Sequence, residues 1–128
     1  MTSVDWPVEE IPDGDTLFMR MHKDHFRNGK IQAGVFRAQG GGMSTDWSKY
    51  ATPVQTLNRA RIPEDNGVIG LPVQKVRAIP SLSVVHSPDI QTRNRAHTDV
   101  RGINENKTEA RFHLRRVCFL ELRPQYES

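Results

Sequence analysis

The chain has 128 residues, 36% of them hydrophobic and 26% charged, with one cysteine and a formal net charge of +3. A chain of this size forms one domain and buries a modest core without help from a disulfide or metal. The single thiol excludes an intrachain disulfide, no apolar run approaches membrane-spanning length, and the absence of a secretory leader makes the cytoplasm the expected location.

Charge is distributed unevenly. Residues 1–15 carry Asp5, Glu9, Glu10, Asp13 and Asp15 and no Lys or Arg, whereas residues 93–123 are rich in arginine. A basic end suits phosphate or nucleic acid. The same asymmetry is satisfied if the two ends neutralise each other in the fold.

Residues 1–14, with Pro7, Pro12 and the carboxylates, read as an acidic extended arm pinned by Trp6, and residues 15–128 as a single α+β domain. Asp15 to His22 alternates: Leu17, Met19 and Met21 share one face of a strand, and Phe18, Arg20 and His22 share the other. An arginine and a histidine two apart on a strand both reach one anion. Asn28-Gly29 marks a tight turn. Ile31 to Ala38 is expected to be a second strand, and Gln39 to Gly42 a flexible connection that matches neither the Walker nor the dinucleotide glycine pattern.

Met43 to Tyr50 is expected to open with a capped turn, with Trp47 and Tyr50 on one helical face. Thr52-Pro53-Val54-Gln55 is a capping box with proline at the first helical position. It predicts a short helix from Pro53 to about Arg61, with Val54 and Leu57 inward. Gly67 to Leu71 is a short buried strand, and Pro72 begins a helical turn carrying Val73, Val76 and Ile79. Leu82 to His86 and Ala96 to Val100 are strands flanking a polar loop, Asp89 to Arg95. Ala110 to Leu122 fits a strand and a helix. The strand is preferred because Phe112 interrupts the helical stripe, with a bulge at Arg115-Arg116. Cys118, in an apolar run, is expected to be a buried structural thiol. The sum is one compact α+β domain: a mostly antiparallel sheet of about five or six strands, with two short helices inserted between Thr45 and Ile79.

Chemistry concentrates in Leu82 to Gly102, which holds two histidines, two aspartates and three arginines. His86 and His97, at strand ends on either side of the loop, would face each other across it. One imidazole removing a proton and the other supplying one, with guanidinium groups stabilising developing charge, suits phosphodiester chemistry. The candidate catalytic residues are His86, His97 and Asp99, and the candidate phosphate-binding residues Arg20, His22, Arg93 and Arg95. Two-histidine phosphoesterases place the hydroxyl residue two positions after histidine, whereas Ser87 and Thr98 follow directly. The histidines and nearby aspartates match no metal-ligand spacing, and arginines beside them would repel a cation, so neither metal nor cofactor is assigned.

LFMRMH, residues 17–22, followed by GMSTDW, residues 42–47, resembles the arginine strand and the Ser-Thr-Ser strand of one class of ADP-ribosyltransferases. The resemblance covers roughly a quarter of the chain. It implies a role for Arg20 on the phosphates of a dinucleotide and a structural role for Ser44 or Thr45 near the nicotinamide. Asp46 departs from the family's second serine, and Glu121 is the one late glutamate inside an apolar run.

No motif fixes a reaction. The expectation is a small cytoplasmic protein that binds a nucleotide or RNA phosphate group through an Arg/His-rich face, with phosphodiester chemistry as an extension of that reading. Two alternatives stand beside it. One is a non-enzymatic protein-interaction module, or homo-oligomer, pairing the acidic arm of one copy with the basic end of another. The other is an NAD-consuming enzyme of the ADP-ribosyltransferase type.

Overall fold

Alternation and burial agree along β1, Thr16–His22, where Leu17, Met19 and Met21 enter the core while Arg20 and His22 are exposed. The computed structural model that shows this describes residues 5–39, 41–104 and 106–125. Met1–Val4 of the acidic arm, Gly40 of the glycine run and Glu105 lie outside the described residues.

Six strands form one sheet. They are β1, β4 (Met43–Trp47), β5 (Asn66–Pro72), β6 (Ser83–His86), β7 (His97–Arg101) and β8 (Phe119–Leu122), in the order β6-β7-β4-β1-β5-β8. Every pairing is antiparallel. A hairpin, β2 (Phe26–Arg27) with β3 (Lys30–Ile31), turns at Asn28-Gly29, both with positive φ. The molecule is thus a single compact α+β domain. Among the described residues three short α-helices complete it: α1 (Pro53–Asn58), α2 (Val73–Arg77) and α3 (Glu109–Val117).

Residues opposite each other in adjacent strands share a face of the sheet. Leu17 opposes both Trp47 and Leu71, Met19 opposes Ile69, and Met43 opposes Val100. This face builds the core, closed by Val73 and Val76 of α2, Leu114 of α3, and Phe26 and Phe36. The other face carries Phe18, Ser44, Asp46, His97 and Asp99. There α1 packs over β1 and β5 and leaves the β4–β7 half open.

Four expectations from the sequence are corrected. Residues 31–38 do not form a strand: β3 ends at Ile31, and a 3₁₀ turn at Ala33–Val35 brings Phe36 into the core. The short Ala33 and Gly34 allow that turn, with Gly34 against the His25 ring. Met43 to Trp47 is a strand and not a capped turn, because Met43, Thr45 and Trp47 all fit the buried face; Trp47 and Tyr50 still meet edge to face at 5.3 Å. The capping box at Thr52 and Gln55 forms, yet α1 turns Thr56 inward and leaves Val54 54% exposed. Ala110 to Leu122 is not one strand with a bulge. It is helix α3, then β8 after a break at the extended residue Cys118. The stripe Ala110, Leu114, Val117 and Cys118 packs on the core, and the helix tolerates Phe112 by leaving it exposed.

The first described residues are tied down by the body. Ile11 is buried in the core, Arg77 donates to the Ile11 carbonyl and to Asp13 Oδ1, both at 2.7 Å, and Trp47 Nε1–H donates to Asp15 Oδ2 at 2.8 Å. Trp6 is half-buried.

After β7 the chain reverses at Gly102, whose φ is +102° and whose missing Cβ would lie 1.9 Å from the Ser81 carbonyl oxygen. A side chain there meets backbone and cannot be relieved by a rotamer change. Gly102→Ala is expected to cost more than about 1 kcal/mol, read as a lowered urea midpoint; an unchanged midpoint contradicts the close approach.

Candidate functional site

A cleft of about 570 Å³ opens on the half of the polar face that α1 leaves uncovered, within the size range of small-molecule sites. Its floor is Phe18 and Asp46, which oppose each other in β1 and β4. Arg20 and Arg59 stand on one side, and Asn94, Thr92 and Asp89, from the 87–96 loop, on another. His97 and Ser44 line it from the open strands.

Asp46 ties α1 and the 87–96 loop to the floor of the cleft. It is buried, 4% exposed. Its Oδ2 accepts from the Thr56 hydroxyl of α1 at 2.8 Å, and its Oδ1 accepts from Asn94 Nδ2 at 2.7 Å. Arg59 Nε approaches Oδ2 at 3.7 Å, and Arg20 donates to the Thr56 carbonyl at 3.4 Å. Asn94 then fixes its own loop: its side-chain oxygen accepts from Ala96 N–H, and its backbone exchanges two bonds with Asp89. A buried carboxylate hydrogen-bonded on both oxygens in this way braces the site and faces Arg59.

His97 is set up differently. Its Nδ1–H donates to the Ser87 carbonyl at 2.7 Å, which fixes the neutral tautomer with Nε2 as acceptor. Nε2 lies 3.3 Å from Ser44 Oγ and 3.8 Å from Asp99 Oδ1. Serine and aspartate both approach the same ring nitrogen, so the trio is not a Ser-His-Asp relay, in which the carboxylate orients the opposite nitrogen. Asp99 also pairs with Arg101 at 3.6 Å. It is positioned to stabilise a protonated His97.

The expected pair of histidines does not converge. His86 opposes Thr98, and His97 opposes Asp46, so the two rings occupy opposite faces of the sheet. His86 is 2% exposed; its Nδ1 accepts from Glu9 N–H at 3.0 Å, its Nε2–H donates to the Arg95 carbonyl at 2.7 Å, and it packs edge to face on Trp47. Both ring nitrogens are spent on structure.

The four expected phosphate ligands also divide. Arg20 lines the cleft, and His22, two residues on, lines a shallower depression next to it. Arg93, with φ +55°, is exposed in the loop and does not line the cleft. Arg95 lies over the Tyr50 ring at 4.2 Å and 3.8 Å from Glu9, so its charge is used within the fold. Glu121 is exposed on edge strand β8, two strands from β1, and is not part of the cleft. Cys118 is half-buried; burial pushes its thiol up, away from thiolate chemistry. Asp46, Arg59 and Asn94 escaped the sequence reading. The capping box pointed to α1, but nothing local indicated that Asp46 would meet it.

Two carboxylates have displaced titrations, Asp89 at the cleft and Glu9 on the other side of the sheet. The Thr92 side-chain hydrogen bond, with help from backbone N–H groups, lowers Asp89, so it stays ionised at the cleft rim. Glu9 is lowered by its hydrogen bonds to Lys49 and Tyr50, and Lys49 is raised by the same contact. Two carboxylates of the acidic segment are thus paired inside the chain, Glu9 with Lys49 and Arg95 and Asp13 with Arg77. Among the described residues no group of three or more His, Cys, Asp or Glu is arranged to hold a metal, and no helix is long and apolar enough to cross a membrane. Comparison of the chain with protein-family models, curated proteins and solved structures finds no match.

Removing the Asp46 carboxylate strands buried donors on α1 and the loop. Asp46→Ala is expected to cost about 3 kcal/mol by chemical denaturation, and a loss within that of a surface substitution contradicts the bracing role. Glu9 has a folded pKa below its ordinary 4.5. Its contribution is therefore complete above that value and is lost as pH falls through the lower folded one. Glu9→Gln should lower the melting temperature at neutral pH and narrow the gap to wild type in acid; a constant gap across that range argues against the linkage.

Proposed function

We propose that the cleft binds a nucleotide, with a phosphate on Arg20 and Arg59 and with His97 moving a proton beside it. The observation that carries this is that Arg20, on β1, and a carbonyl-oriented His97, on β7, line one cleft. Two guanidinium groups on one wall suit bidentate contact with phosphate oxygens. Asp46 counters part of the Arg59 charge, and the Thr56 carbonyl accepts from Arg20. Asn94 is committed to Asp46, which leaves Thr92, Asp89 and Ser44 as polar partners for a ribose or base.

Neutral His97 accepts a proton at Nε2, from the Ser44 hydroxyl or from a substrate hydroxyl in its place. Once protonated, it donates from the same nitrogen while Asp99 stabilises the imidazolium. One imidazole serves both directions, since His86 lies behind the sheet. A phosphodiester reaction at this site would therefore use a single histidine, with solvent or Ser44 completing the proton transfer.

One observation favours a second reading. β1 and β4 are neighbours, so Arg20, Ser44 and Thr45 line the same cleft, in keeping with the resemblance to ADP-ribosyltransferases. Against it, Glu121 is remote from the cleft, and the Thr45 hydroxyl is tied to the Thr98 carbonyl at 2.8 Å.

Calorimetric titration with adenine, guanine, cytosine and uracil nucleotides and with NAD tests both readings. Binding at low salt that falls at least tenfold in Arg20→Ala, and survives in His97→Ala with loss of any turnover, is the expected result. Wild-type protein that binds none of these ligands overturns the nucleotide reading. Nicotinamide released from NAD, and abolished by Arg20→Ala, would select the second reading; NAD left intact with and without lysate removes it.

A further inference from the structure

The nucleotide reading uses only one side of the arginine wall. A second depression, of about 280 Å³, adjoins the cleft and shares Arg20 and Arg59 with it. The remaining polar lining is Arg61 from the turn after α1, Asn66, His22 from β1, whose Nδ1 accepts from Asp24 N–H at 3.1 Å, and one carboxylate, Asp65, which already pairs with Lys23 at 3.3 Å. Ile62, 50% exposed, gives it an apolar surface.

The spacing follows from the backbone. Arg20 and His22 project from the same face of β1 two residues apart, roughly 7 Å along the strand. That step is comparable to the interval between successive phosphates of an extended polynucleotide. Arg59, the helical C-cap of α1, and Arg61, in the turn after it, both line the depression. The two pairs give two successive phosphate stations, Arg20 with Arg59 and then His22 with Arg61. A free mononucleotide ends its charge at the first station and leaves the second unused. Arg61 is exposed and makes no ion pair among the described residues. A cationic side chain left unneutralised beside a shared arginine wall suits a polyanion.

We propose that the two depressions form one groove for a single-stranded nucleic acid. One nucleotide sits in the open cleft beside Ser44 and His97, its phosphodiester lies on Arg20 and Arg59, and the next phosphate lies on His22 and Arg61, with the adjoining base against Ile62. This rests on the nucleotide reading of the cleft and extends it from a free nucleotide to a polymer.

Fluorescence anisotropy with a short labelled oligonucleotide of mixed sequence, in RNA and DNA versions, tests it alongside titration of the unlabelled mononucleotides. Binding of either oligonucleotide at least tenfold tighter than any mononucleotide is expected. A log–log salt slope steeper by about 0.7 per added phosphate is also expected. Arg61→Glu, exposed and outside the open cleft, should weaken oligonucleotide binding at least tenfold and flatten the slope, while mononucleotide binding and melting temperature stay as in wild type. Tighter binding by one version identifies which sugar the groove takes. Equal binding of oligonucleotide and mononucleotide, unchanged by Arg61→Glu, overturns the groove and leaves the nucleotide site standing. No binding of either overturns both.

Discussion

One buried carboxylate connects the segments that shape the cleft. Asp46 takes a hydrogen bond from α1 through Thr56 and one from the 87–96 loop through Asn94, and faces Arg59 as well. A carboxylate removed from water is costly unless its lone pairs are met. Here each oxygen accepts a hydrogen bond from a separate segment, and those bonds hold the two segments against the sheet. The cleft is the space left between them. Its cationic wall and its histidine are aimed by contacts that begin at Asp46 or run parallel to it.

The two faces of the sheet divide the labour. On the apolar face Leu17, Trp47 and Leu71 meet in register beneath α2 and α3. The polar face carries Arg20, Ser44, His97 and Asp99, half covered by α1. Because successive strand residues point to opposite faces, His97 lies in the cleft while its neighbour Thr98 lies beside His86 on the other side. His86 helps fix the segment before β1 by accepting the Glu9 amide, and it holds the loop through the Arg95 carbonyl. It thus supports the cleft from behind without entering it.

Local signals in the sequence recovered what local physics decides. The alternation of β1, the capping box at Thr52, the Asn28-Gly29 turn and the short segments at 67–71 and 73–79 all appear where their patterns put them. The misreadings share a cause: in each, tertiary packing selected between patterns the segment fits equally well. Met43–Trp47 has capping residues but also a strand period, and the buried face took Met43, Thr45 and Trp47. Residues 110–122 fit helix and strand, and the core took Leu114 while leaving Phe112 in solvent. In the candidate site, Arg20 and His97 were legible because charged or titratable groups stood out against strand patterns. Asp46, Arg59 and Asn94 were not, since their meaning lies in contacts across 10 to 48 residues of chain. The supposed histidine pair failed on parity: a one-residue difference in register decides which face a ring occupies.

The register of the central strands has a consequence for how the protein reaches this state. The Thr45 hydroxyl finds its acceptor on a residue 53 positions away, and β1 meets one neighbour only after β4 and the other only after β5 has been made. Strand pairings of such long range pay their loop-closure entropy before they gain contacts, which slows folding. During that interval β1 presents Leu17, Met19 and Met21 along an unpaired backbone edge, a species open to self-association. The charged and polar residues interleaved on the same strand, Arg20 and His22, then have a role in folding itself. They keep one side of a nascent apolar strand wet until its partners close around it.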